Sequence, residues 1–331
     1  VIHNGGTMNT SGEWAFGGVN GYDVSTNRVP SVTINAGGIL NFGSGGSANG
    51  ISNLYLNGGL VTGGGGQFVD LFGALFLYNA NEQITAGGAT TSTIAARLGL
   101  DGTNNTITVD PGSTLNITGV VADVAAQGGS WSRIGGFIKA GGGTLTLSGA
   151  NTYTGTTEIT SGNLQIGDGG TTGTLGSGPV SIASGATLTI HRSDDYSPPA
   201  GQMISGAGNL IKNGTGTLTL SGNISHTGGT TINGGTLKAA INQAFGSSDA
   251  TVNLNGGWMN LNGYSQTLAA VTGSTSSSIQ GGTGLIGLLH GGDGFLERGD
   301  LRIRVGVDGA RRPSRRVGQH QPLATEHRPA L

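Results

Sequence analysis

The sequence predicts an all-β chain, wound as a parallel β-solenoid of short Gly/Thr/Asn-rich rungs. Three observations carry the prediction. First, the chain repeats itself without a gap at a long fixed period. Thr144-Leu145-Thr146-Leu147-Ser148-Gly149 returns as Thr217-Leu218-Thr219-Leu220-Ser221-Gly222, and the segment from Thr154 to Leu164 returns from Thr227 to Leu237. Such self-similarity marks a repeat architecture. Second, Gly contributes 68 of 331 residues and charged residues only 10%. The remainder is short Leu, Ile, Val and Thr runs cut by Gly, Asn and Ser, the composition of many short strands joined by tight turns. Third, a looser pattern of two apolar dyads around a Gly starts at Val32, Ile107, Val180 and Val252. Its starts are almost evenly spaced, at the same period as the stricter copies.

In chain order, residues 1–30 are Gly/Asn-rich with scattered aromatics (Trp14, Phe16, Tyr22) and no clear repeat copy. From Val32 each unit reads as two strands of period-two alternation around a Gly-containing turn. Residues 1–140 are read as diverged rungs and 141–284 as the stretch holding the two 73-residue copies. Ile94-Ala95-Ala96-Arg97-Leu98 is the most helix-like segment, and it reads as strand or loop. A two-strand unit cannot bury its apolar face alone, whereas stacked copies share one interior. A 73-residue period then holds about three turns of roughly 20–30 residues each. Gly at the corners supplies positive φ, and Asn35, Asn116 and Asn233 at turns add side-chain hydrogen bonds between rungs. The alternative architecture is an antiparallel β-sandwich with repetitive turns.

After Gly284 the texture changes. Eight of the fifteen Lys and Arg residues lie between Arg298 and Arg328, Asn vanishes, and Pro313, Pro322 and Pro329 appear. Residues 285–331 are therefore expected to stand outside the repeat fold, as a disordered tail or the product of a reading-frame shift.

The string from Thr144 to Gly155 (Thr-Leu-Thr-Leu-Ser-Gly-Ala-Asn-Thr-Tyr-Thr-Gly), continued to Gly162-Asn163-Leu164, resembles the autotransporter-associated β-strand repeat, or passenger-associated transport repeat, of bacterial autotransporters. In the second copy Asn223-Ile224-Ser225-His226 replaces the Ala-Asn-Thr-Tyr quartet, while the flanks are kept. Rungs between Val32 and Phe42, Leu54 and Gly59, and Thr114 and Gly119 are similar to the spacers between such repeats. The likeness spans about residues 31–284. It implies a right-handed parallel β-helix exported to the bacterial cell surface, outer-membrane associated or secreted. It also implies a C-terminal β-barrel translocator in the full-length protein, and a part for the repeats in folding and crossing.

Other function classes are weakly supported. A net charge of −2 gives no electrostatic reason for nucleic-acid binding. The absence of Cys removes disulfides and thiolate metal sites. No apolar run approaches the roughly 18 residues of a membrane-spanning helix. Val1 opens in mid-pattern, without a basic region before an apolar core, which reads as a cytosolic chain or an internal fragment.

Arg298-Gly299-Asp300 is an integrin-type cell-attachment tripeptide, but a chain of this length carries it by chance roughly one time in twenty. Gly291-Gly292-Asp293-Gly294 resembles the start of a calcium-binding nonapeptide, yet Leu296 stands where an Asp is needed and no second copy exists. Asp194-Asp195 beside His191 and Arg192 is the one dense polar cluster in the repeats, but adjacent strand residues face opposite ways, and between Ser193 and Tyr196-Ser197-Pro198-Pro199 the pair reads as an insertion loop. The six histidines have no ligand spacing, and no nucleophile or phosphate-loop motif occurs. Trp131 and Trp258 read as rung-packing or surface residues.

The expected function is a non-catalytic cell-surface or secreted passenger, stalk- or adhesin-like. Its expected partners are host matrix or sibling-cell surfaces, with no cofactor, metal or catalytic residue. The alternative is a β-helix polysaccharide-active lyase or glycosidase, which needs carboxylates converging from neighbouring rungs.

Overall fold

In the computed structural model the described residues are 1–3, 5–10, 31–42, 48–63, 74–77, 83–124, 134–274, 277–281, 285–288 and 302–305. Among them there is no helix, and every strand-to-strand pairing is parallel. The chain is a β-solenoid. Consecutive strands such as Val32–Asn35 and Ile39–Phe42 lie in different sheets instead of forming a hairpin, which removes the sandwich alternative.

Twelve strands stack in one long sheet, from Thr7–Thr10 through Ile39–Phe42, Thr144–Leu147 and Asn209–Asn213 to Ala270–Gly273. A second face carries eight strands, Val32–Asn35 to Ile204–Gly206. A third face is built from two four-stranded sheets, Ala48–Gly50 to Val121–Asp123 and Thr217–Leu220 to Ser278–Gln280. Strands Leu285–Leu288 and Arg302–Val305 continue in parallel from Gln266–Leu268.

Alternation decides which side chains face in. Leu115, Leu145, Leu164, Leu188 and Leu210 are cross-strand neighbours down the long sheet and all are fully buried. Their strand neighbours Asn116, Gln165 and Thr187 lie partly exposed. One apolar column thus runs through successive turns at about 4.8 Å per step, and each turn contacts mainly the turns above and below.

The corners behave as the glycine pattern suggests. Gly37, Gly112 and Gly185 occupy the same place in the looser pattern and have φ of 72°, 78° and 79°. In the fourth copy the positive φ falls on Gly256 (111°) instead of Gly257, where the pattern slips by one position. Asn ladders form at Asn35, which accepts from Asn57 Nδ2 at 3.1 Å, and at Asn233, which donates to Asn213 Oδ1 at 2.8 Å and accepts from Asn255 at 3.1 Å. Asn116 is a correction: it sits inside strand Thr114–Ile117, not at a turn.

The repeat period and the turn are not commensurate. Between Val32 and Ile107, and again between Ile107 and Val180, three turns return the chain to the eight-stranded face. In the later rungs the turns are shorter, and one repeat period makes three turns plus one face. Thr144–Leu147 lies in the long sheet, but its copy Thr217–Leu220 lies on the third face. Likewise Thr157–Ile159 lies in the eight-stranded sheet and its copy Thr230–Ile232 in the long sheet.

Candidate functional site

The chain concentrates its unusual chemistry inside the two repeat copies. Phe137, Lys139 and Thr157 point inward in the first copy, as do Leu210, Lys212 and Thr230 at the matching positions of the second. Lys139 stands in a column between Ile107 and Ile159, and Lys212 in one between Ile190 and Ile232. Both lysines are essentially without solvent exposure.

No carboxylate meets either ammonium group. Lys139 Nζ donates to the carbonyls of Ala140 (2.9 Å), Gly141 (2.8 Å) and Ser161 (3.1 Å). Lys212 Nζ donates to Asn213 (2.8 Å), Gly214 (3.0 Å) and Gly234 (3.2 Å), the equivalent atoms. Three N–H donors meet three acceptors. Two acceptors lie at the lysine's own turn and the third at the turn above, so each lysine ties successive corners together. Gly141 and Gly214 present their carbonyls from φ of 75° and 77°. Burial pulls both lysines down to about 8.

One aromatic position completes the unit. Tyr153 is fully buried, shares a 2.8 Å hydrogen bond with Thr157 Oγ1 and meets Phe137 edge-on at 5.5 Å between ring centroids. His226 takes its place in the second copy, with Nε2 2.8 Å from Thr230 Oγ1. The copies read from the sequence start at Thr144 and Thr217, which leaves out the lysines. Their signal is present: Ile138-Lys139 and Ile211-Lys212 keep the same spacing as the rest of the copy.

The residues singled out for chemistry fare differently. Arg298, Gly299 and Asp300, the Gly291–Gly294 stretch, Trp131, His290, His320 and His327 lie outside the described residues, as does most of 285–331. Asp194 forms an ion pair with Arg192 at 2.8 Å, and that guanidinium holds its carboxyl below the usual range. Arg192 also reaches Thr171 O at 2.6 Å and lies over the Tyr196 ring, 4.9 Å from its centroid. Asp195 accepts from Thr217 N at 2.9 Å, which lowers its pKa too. Asp195 fastens its turn to the next, while Asp194 holds the Arg192 guanidinium that reaches back to the turn before; acids held ionised in this way suit neither proton donation nor a shared acid–base site.

Glu158 is exposed on the eight-stranded face, with Ile138 and Ser181 as its cross-strand neighbours and no second acid beside it. Trp258 is 47% exposed on the third face. Among the described residues no cluster of His, Asp and Glu is arranged to hold a metal ion, and no helix is long and apolar enough to cross a membrane.

The passenger-associated transport repeat family matches residues 137–166 and 210–239, the two segments that hold the lysine clamps. The chain carries passenger-associated transport repeats. Over 199 residues, 55% of this chain, it is 32% identical to the adhesin BmaC autotransporter of Brucella suis biovar 1 (strain 1330). The aligned part is 5% of that relative's length. The repeats and this likeness make the chain similar to autotransporter passengers. No solved structure matches the chain. The family match begins at Phe137 and Leu210, so the buried lysines lie within the transport repeats, not in the spacers.

Proposed function

We propose that this chain is a non-catalytic stretch of a cell-surface or secreted autotransporter passenger, serving as a stiff stalk that displays or contributes to adhesion. The observation that carries the reading is the shared apolar core that runs through the stacked turns, with two transport repeats clamped into it. Stability spread over nearest-neighbour interfaces suits a long rod that needs little charge and no disulfide. The relative's name, an adhesin, supports the adhesive part. A C-terminal translocator belongs to the full-length protein on this reading, and host matrix or sibling-cell surfaces are the partners.

The test is attachment of beads coated with the purified chain to host matrix proteins and to sibling cells. Binding above beads coated with an unrelated solenoid supports the adhesive role. Binding no greater than that control removes it and leaves a passive stalk. Loss of binding on Asp300→Ala alone would place adhesion at Arg298, Gly299 and Asp300. Release of reducing sugar from pectin or alginate would overturn the non-catalytic reading.

A further inference from the structure

The two repeat copies differ at several interior positions, and at one of them the difference matters in acid. Tyr153 and His226 hold the same place in the two copies, fully buried, and are paired with equivalent threonines. The phenol loses its only titratable proton well above neutrality, and burial raises that pKa further. The imidazole has no such margin.

Hydrogen-bond accounting fixes its state. Thr230 Oγ1 donates to Phe245 O at 3.1 Å, and a hydroxyl has one proton to give. At the 2.8 Å contact with His226 the hydroxyl must therefore accept, which makes Nε2 the protonated nitrogen. Nδ1 is left as a lone pair, buried and without a partner. A second proton there would create a cation whose new N–H has no acceptor.

Nothing nearby offers compensation. Strands Ile204–Gly206 and Thr230–Ile232 carry no ionisable side chain. On the turn after Phe245, which binds the His226 carbonyl through Ser247 N at 2.9 Å, the ionisable residue is Asp249, exposed to solvent. Burial alone sets the ring's acidity and pulls it down to about 4.

We propose that the second transport repeat is an acid-labile joint: protonation of His226 opens the turn spanning residues 223–250, while the Tyr153 copy stays closed. The joint is a property of the folded chain and does not depend on its surface role. The sign follows from linkage. The folded-state value lies below the ordinary histidine value of about 6.5, so the stabilisation is complete above that pH and is lost as pH falls toward 4. Opening rises at most about tenfold per pH unit within that window.

The experiment is hydrogen exchange on the intact chain, comparing peptides covering 223–250 and 150–177. Rates are normalised to the unfolded chain. Between neutral pH and about pH 5 the first segment is expected to lose about thirtyfold in protection relative to the second. His226→Tyr is expected to abolish the difference, and Tyr153→His to create the same lability in 150–177. Nitrogen NMR of the wild-type ring is expected to show the Nε2–H tautomer and titration far below the ordinary value, whether or not the variants fold. Equal acid response in the two segments, or a ring that titrates near its ordinary value, overturns the proposal.

Discussion

Lys139 and Lys212 place an ammonium ion inside an apolar column, and in both cases backbone carbonyls receive it. A buried charge is costly, but so are three turn carbonyls stripped of their donor, at about 1–3 kcal/mol for a buried unsatisfied group. With several acceptors at stake, the loss outweighs the relief of removing one charge. Lys139→Met and Lys212→Met are each expected to destabilise the chain by about 2 kcal/mol in urea unfolding. The lowered lysine pKa gives a second expectation with a defined sign. Between pH about 8 and the ordinary lysine value the unfolded chain holds more protons, so stability rises with pH. The urea midpoint should therefore increase between pH 8 and about 9, below most tyrosine ionisation, and increase less in either Met variant. The lysines were legible in principle. Phe137 and Leu210 face inward, and period-two alternation then sends residues 139 and 212 inward as well. A lysine in an apolar run is ordinarily assigned to the surface, and that prior hid the clamp.

At the scale of strands and turns, the glycines divide into two kinds. Gly149 and Gly222 face the backbone of the preceding turn, where an added Cβ would run into the carbonyls of Gly119 and Gln202. Gly185 has φ of 79° and open space around its Cβ position. Gly149→Ala and Gly222→Ala are therefore expected to cost about 3 kcal/mol, the upper range for overpacking, and Gly185→Ala only about 1 kcal/mol. Thermal unfolding of the three variants checks that ranking. Strand existence and corner glycines were legible because alternation and positive φ are local properties. The face on which a repeat copy lies was not. It depends on residues per turn, and turn length is set by insertions that the period does not reveal. Since Thr144–Leu147 and Thr217–Leu220 fold on different faces, the repeat specifies an inward–outward pattern, not a side of the solenoid. Excising residues 144–216 should leave a chain that still unfolds cooperatively by circular dichroism. A non-cooperative product would show that the face matters.

Across the whole molecule, the low charge content and the stacked apolar columns belong together. Each turn is held by the turns beside it, and few ion pairs are required. Arg192–Asp194 is an exception that fastens a corner. Composition made this economy visible from the outset, whereas the clamps and the orphaned His226 nitrogen arise only when distant residues meet. The central claim is that successive turns stack in register, so distance along the long sheet counts turns. Asn116 and Thr231 are five strand steps apart in one cross-strand column, and Asn116 and Thr272 are seven. The chain has no native cysteine, so paired nitroxide labels can be attached at these positions alone and their separations read by double electron–electron resonance. The account predicts about 24 Å for the first pair and about 34 Å for the second, one strand spacing per turn. Separations that fail to lengthen from the first pair to the second would contradict it.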